Sequence, residues 1–304
     1  MGRHAGAGVV AVAFLAACNA HLGDPTNHGG GDPDARLVDA TVGVTPDAPV
    51  TLGPWGTPAL VPGASSTATN EDDPTLSSDG LELYYAVQVP GNPKDLYVMT
   101  RASTTVDFGA PTALAGFNTL AGSEESPRLS YDDLALYFGR DGDIFEATRA
   151  TKTSPWGAAS LVTGVSTAAY EKWLAVCGDG THIMVSRDIG PAMAPNPELF
   201  EGTFADGAAT HVTGLDSTAS ESSTFLAKDC LTVMFASNRS GQVQIYSATR
   251  TALTAAWSAP ALLGAPFDTG ADNEDAGYTP DNHIFAFAGL HAPLTTKDLY
   301  LSTR

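Results

Sequence analysis

Eight residues ahead of an aspartate that recurs along the chain stand Glu71, Glu124, Glu171 and Glu221, and Glu274 stands seven ahead of the last such aspartate, Asp281. Arg140, Arg187 and Arg239 follow the second, third and fourth of these aspartates. Carboxylates repeated at one phase can do three kinds of chemistry. Gathered around a channel mouth with the arginines, they hold a hard cation such as Ca²⁺ or the hydroxyls of a polyhydroxylated ligand. Paired with the arginine of a neighbouring unit, whose planar fork matches a carboxylate, or capping backbone amides, they are structural. Two acids flanking a glycosidic bond hydrolyse it, one as proton donor and one as base or nucleophile. That last chemistry gives different acids different tasks, so the same Glu in every unit favours structure or binding over catalysis. Whether the chain is an enzyme stays open at this point, and no catalytic residue or cofactor is assigned.

Other chemistry finds little support. The chain has no Gly-x-Gly-x-x-Gly, no phosphate-binding Gly-Lys-Ser/Thr loop, no His-Glu-x-x-His and no Gly-x-Ser-x-Gly, which removes the usual signatures of dinucleotide, nucleotide, zinc-protease and serine-hydrolase sites. His21 and His28 lack a third ligand at metal spacing. With 34 Asp+Glu against 15 Lys+Arg, the net charge of −19 excludes the clustered cations that nucleic acid demands.

The elements that must position these residues come from self-similarity. The turns Ser78-Asp79-Gly80, Tyr131-Asp132-Asp133, Gly178-Asp179-Gly180, Lys228-Asp229-Cys230 and Pro280-Asp281-Asn282 recur at steps of 53, 47, 50 and 52 residues. After each, apolar side chains alternate with a period of two, as in Leu81/Leu83/Tyr85 and Leu134/Leu136/Phe138, which marks a β-strand. The intervening Tyr84, Tyr137, Met184 and Met234 are also apolar, so the strand is covered on both faces. A second strand ends in Thr100-Arg101, Thr148-Arg149, Thr249-Arg250 and Thr303-Arg304, the third unit being degenerate. An aromatic turn at Trp55, Phe108, Trp156 or Trp257 leads to a further strand.

Units of about 50 residues with four short strands are propeller blades. Residues 55–304 are therefore expected to form an all-β, five-bladed β-propeller, with six blades the alternative. Because the chain ends one outer strand short, a strand at 57–61 is expected to complete the last blade. The stretch Pro74-Thr75-Leu76-Ser77-Ser78-Asp79-Gly80 through Asp95-Leu96-Tyr97, and again Pro127-Arg128-Leu129-Ser130 through Asp143-Ile144-Phe145, resembles the WD40-like (PD40) repeat of TolB-type periplasmic propellers. The resemblance covers residues 55–304 and departs from that family in having five units rather than six and no preceding α/β domain. It implies a scaffold that binds proteins or ligands at its loop faces.

Ahead of the repeats, the apolar run Val9–Ala17 is too short to span a bilayer but suits an export signal at 1–17. It ends in Leu15-Ala16-Ala17-Cys18, which resembles a bacterial lipobox and implies a lipidated Cys18, with Asn19 favouring the outer membrane. Residues 18–54 are rich in Gly, Pro and Asp and read as a disordered tether of reach about 30–36 Å. Cys177 and Cys230 then fall near turns on one face of adjacent units. An oxidising compartment permits a disulfide, whereas blades that diverge from the axis favour two buried thiols, and both readings stand. The function expected is a lipid-anchored, cell-envelope scaffold for an envelope protein or glycan; the alternative is a glycoside hydrolase-like enzyme.

Overall fold

The computed structural model describes residues 52–191, 194–268 and 270–304; the expected export signal, Cys18 and all but the last residues of the tether lie outside them. Strand β1 (Ala59–Leu60) precedes five blades. Blade 1 is β2 (Asn70–Leu76), β3 (Glu82–Gln88), β4 (Lys94–Thr100) and β5 (Thr112–Ala113). Blade 2 is β6 (Glu124–Leu129), β7 (Ala135–Arg140), β8 (Asp143–Thr148) and β9 (Ser160–Leu161). Blade 3 is β10 (Glu171–Val176), β11 (His182–Asp188), β12 (Pro197–Thr203) and β13 (Thr210–His211). Blade 4 is β14 (Glu221–Leu226), β15 (Thr232–Ser237), β16 (Gln244–Thr249) and β17 (Ala261–Leu262). Blade 5 is β18 (Asp272–Tyr278), β19 (Ile284–Leu290) and β20 (Asp298–Thr303), and β1 is its fourth strand. Five antiparallel sheets of four strands decide the blade count, and the expected closing strand is present as Ala59↔Leu301 and Leu60↔Tyr300.

The repeated residues each have a local reason. Asp79, Asp132, Asp179, Asp229 and Asp281 accept backbone N–H bonds from the residue two ahead, forming Asx turns. The next residue takes the left-handed conformation in every blade, φ being 68° at Gly80, 61° at Asp133, 70° at Gly180, 62° at Cys230 and 61° at Asn282. Arg101, Arg149, Arg250 and Arg304 donate through Nε to the carbonyls of Gly80, Asp133, Cys230 and Asn282. Each guanidinium also lies 4.2–4.4 Å from the centroid of Phe108, Trp156, Trp257 or Trp55, which explains the paired Thr-Arg and aromatic signals as cation–π clamps. The last clamp joins Arg304 to Trp55 and so helps close the ring.

The core is five clusters, one in each gap between blades. Tyr84, Leu96 and Phe138 fill the gap between blades 1 and 2; Tyr137, Ile144 and Val185 fill the next. Met184, Leu199 and Phe235 separate blades 3 and 4. Met234, Phe285 and Phe287 lie between 4 and 5, and Leu83, Tyr85 and Leu299 between 5 and 1. Both faces of each second strand are therefore buried, as their continuous apolar sequence requires.

Every inner strand carries a bulge at its third or fourth residue, with φ between 50° and 57° at Asp73, Ser126, Trp173, Ser223 and Asp275. A bulge re-aims side chains. Here it sets which residues reach the axis.

Candidate functional site

The sequence-predicted glutamates are consumed inside the fold. Glu124 accepts from Arg140 Nε at 2.8 Å and from Thr119 N at 3.0 Å. Glu171 accepts from Arg187 Nε at 2.8 Å and Thr167 N at 3.0 Å. Glu221 accepts from Arg239 Nη2 at 2.8 Å, Ser217 N at 3.3 Å and Ser237 Oγ at 2.9 Å. The three carboxylates are 0% exposed. Each arginine belongs to the same blade as its Glu, not to the neighbouring one, and Nη2 of each also bonds a carbonyl of the preceding crossover, Phe117, Val165 or Leu215. The pair staples the crossover to the blade it feeds.

Glu71 occupies the same position with Val87 where the arginine stands in blades 2 and 3. Burial pushes its carboxyl up to about 7, despite bonds from Thr69 and Ser66. Glu274 is displaced. Counted from the bulge at Asp275, the equivalent of Glu71 is Asn273, which pairs with Gly289 and donates to the Phe267 and Ala271 carbonyls. Glu274 lies one step on, in an ion pair with Lys297, in line with Asp72, Glu125, Lys172 and Ser222. The expected carboxylate ring is thus four structural glutamates and one residue of a different set.

That second set, with the bulge residues, makes the charged centre of the molecule. Lys94 Nζ lies 2.7 Å from Asp72, 3.5 Å from Asp73 and 3.4 Å from Glu125. Lys172 Nζ lies 2.7 Å from Glu125, to which the Tyr170 hydroxyl also donates at 2.9 Å. Trp173 Nε1 donates to Asp73 at 2.6 Å, and Ser126 N does so at 3.1 Å. Asp73 N donates to Asp275 at 3.3 Å.

These contacts split the carboxyls. Burial alone would raise Asp73, but Lys94, Lys172 and the bonds from Asp275 and Trp173 outweigh it and hold Asp73 well below the ordinary range. Burial and then the Asp73 charge push Asp72 up to about 6, Lys94 offsetting part of that rise. Burial with Asp73 and Asp72 alongside keeps Asp275 protonated far above its usual range. A neutral Asp275 beside an ionised Asp73 is how two buried acids share a site.

One end of the centre opens into a cavity of 610 Å³ lined by Tyr170, Lys172, Trp173, Asp188, Pro195 and Pro197 of blade 3. At the other end Arg128 donates to the Pro74 and Thr224 carbonyls and the Tyr131 hydroxyl to Leu226, leaving a 30 Å³ void. At this end side chains of blade 2 thus span the hub to blades 1 and 4.

Cys177 and Cys230 form a disulfide with Cα atoms 5.2 Å apart, so the reading of two buried thiols is corrected. The blades do diverge, but these turns sit near the axis, where Gly178 N donates to Lys228 O at 2.9 Å and draws the two backbones together. Sequence reasoning missed Asp72, Asp73, Lys94, Glu125, Lys172, Trp173 and Asp275. For those on the first four inner strands the signal is a break in the repeat: the residues just after the repeated Glu read Asp-Asp, Glu-Ser, Lys-Trp and Ser-Ser.

No protein-family model matches the chain, and no curated protein matches it. Among solved structures it is similar to an α-L-arabinofuranosidase from Podospora anserina in complex with cellotriose, at 13% identity over 82% of this chain and 96% of that one, with a TM-score of 0.54. An endo-arabinase from Bacteroides thetaiotaomicron shares 12% identity over 82% and 97%, at 0.51. A protein described as a putative TolB from Agrobacterium tumefaciens shares 17% over 76% of each chain, at 0.48. At these identities the likeness to the arabinofuranosidase and the endo-arabinase is one of fold alone.

Proposed function

We propose that this propeller is an exported, envelope-anchored binding module that takes a saccharide in the blade 3 cavity. The observation that carries the reading is the pairing of that cavity with a centre built from residues that do not repeat. Tyr170 and Trp173 offer ring faces to sugar C–H groups, and Lys172, Asp188 and the Glu125 carboxylate beside them offer hydroxyl partners. The repeated glutamates contribute only rigidity. Export is supported by the Cys177–Cys230 disulfide, since such bonds persist in oxidising compartments, and anchoring by the lipobox-like Leu15-Ala16-Ala17-Cys18.

Glycoside hydrolysis is the second reading, favoured by one observation: an ionised Asp73 beside acids pushed upward, the separation of acid and base roles that such chemistry uses. Calorimetric titration of the full chain with cellotriose and with arabinan oligosaccharides tests both. Saturable binding weakened by Tyr170→Ala, a change at an exposed ring, supports the proposal. Absence of binding to every saccharide overturns it. Shortened chains in the recovered mixture transfer the assignment to the hydrolase.

A further inference from the structure

Three positions of blade 3 and its crossover meet, and two of them, in the third and outer strands, depart from the repeat. Opposite the aromatic or large residue of the third strand, the outer strand carries Ala113, Leu161, Leu262 and Leu60 in blades 1, 2, 4 and 5, but His211 in blade 3. Across from the end of the second strand stand Asp95, Asp143, Gln244 and Asp298 in those blades, but Glu198, which combines a carboxyl with the longer stem, in blade 3. In the crossover, Asn118 both accepts from Leu96 N and donates to Leu96 O, and Ser166 bonds Ile144 in the same way. The corresponding residue after Leu215 is Asp216, as it is Asp268 after Phe267, and a carboxylate offers acceptors where Asn118 and Ser166 also donate.

One ligand atom from each of Glu198, His211 and Asp216 lies within 4.8 Å of the others. Glu198 is 4% exposed; its Oε1 accepts from Asn196 Nδ2 at 2.8 Å, while Oε2 has no partner, nor has Asp216 Oδ1. His211 Nε2 lies 3.1 Å from Asp216 Oδ2 without hydrogen-bond geometry. The imidazole stacks on Phe200 at 4.7 Å, which fixes the ring plane. The nearby arginines are spent: Arg187 on Glu171 and Arg239 on Glu221. Among the described residues, neither Glu198 nor Asp216 has a Lys or Arg partner, so carboxyl oxygens converge on a point that no cationic side chain reaches.

We propose that Glu198, His211 and Asp216 bind a divalent transition cation, Zn²⁺ or Mn²⁺, at the boundary of blades 3 and 4. An imidazole with two carboxylates suits these ions better than Ca²⁺ or Mg²⁺, which prefer sites made wholly of oxygen. Bonds of about 2.0–2.2 Å are reached by small side-chain rotations from the present spacing. Three protein ligands leave coordination positions open, and His211 and Asp216, with side chains 32% and 20% exposed, give the ion a path from solvent. The site is independent of the saccharide reading.

Full-length protein stripped with EDTA and titrated with ZnCl₂ or MnCl₂ in a calorimeter tests this, with melting followed in parallel. His211→Leu installs what blades 2, 4 and 5 carry at that position, and Asp216→Asn what blade 1 carries, so both variants suit the blade. The expected result is one cation bound per wild-type chain with a raised melting temperature. Each variant should lose affinity by roughly tenfold or more and lose that rise, while melting without metal no lower than wild type. His4, His21 and His28 are present in all three proteins, so binding that survives both substitutions comes from elsewhere and overturns the proposal. Absence of saturable one-to-one binding by wild type also overturns it, and leaves a proton shared among the carboxyls as the account of the cluster.

Discussion

Reduction of the Cys177–Cys230 bond should remove a defined amount of stability. The cysteines are separated by 53 residues and lie in the inner turns of adjacent blades, so the bond denies the unfolded chain the freedom of one whole blade repeat. By the loop-entropy relation, a closed loop of that length contributes about 4 kcal/mol at 25 °C. Both sulfurs are buried, at 1% and 4% exposure for the two residues, and Gly178 N to Lys228 O holds the turns together after reduction, so most of the effect falls on the unfolded state. The assay is equilibrium denaturation of one protein with and without reductant, which avoids the cavities that substitution would leave. The midpoint should fall, and the dependence on denaturant should steepen, because the released chain exposes more surface on unfolding. A loss of less than about 1 kcal/mol would refute the entropic account. Titration of free thiols at both Cys177 and Cys230 in denatured, unreduced protein would refute the bond itself.

Two further outcomes follow from the glutamate position and the N-terminal motif. Glu71 has its carboxyl raised to about 7 in the folded protein from an ordinary 4.5, so its contribution to stability is full below about pH 4.5 and is lost as the pH rises toward 7. Val87→Arg, which copies the arrangement of Glu124 with Arg140, should flatten that decline; denaturation midpoints at pH 4.5 and 7 that fall as steeply as in wild type would contradict it. Cys18→Ser should shift the protein from the membrane fraction to the soluble one, because a lipid on that thiol is the proposed attachment; a variant that still sediments with membranes argues against the anchor.

The repeat made the fold legible because each of its signals is local. An Asx turn needs an Asp three residues before the strand, and a cation–π clamp needs an Arg and an aromatic at fixed offsets; both survive in sequence whatever the distant surroundings. Closure by residues near Ala59 was legible by counting strands. The centre was not, since Lys94 comes from the third strand of blade 1 and meets Asp72, Asp73 and Glu125 only through the curvature of the ring. Glu274 was misplaced for a more particular reason. Its offset was counted from the turn, whereas the bulge at Asp275, invisible in composition, decides which residue occupies the buried position. The cysteines show the same limit: sequence gives their angular position around the ring but not their radius.

The groups that span the hub bear on how the molecule comes apart. In an open solenoid each repeat touches only its neighbours, so stability is a sum of local terms and fraying proceeds from the ends. Here Arg128 and Tyr131 of blade 2 bond the carbonyls of Thr224 and Leu226 in blade 4, across the hub and past the blade between them. Arg128 also reaches Pro74 in blade 1, and Asp73 of blade 1 receives the indole N–H of Trp173 in blade 3. Nearest-neighbour bookkeeping therefore fails at the centre: loosening any one blade withdraws partners from blades it does not touch. Intermediates with one blade detached are penalised at several places at once, so the five repeats melt as one cooperative unit, and a slow local opening that a solenoid would permit is closed to this ring.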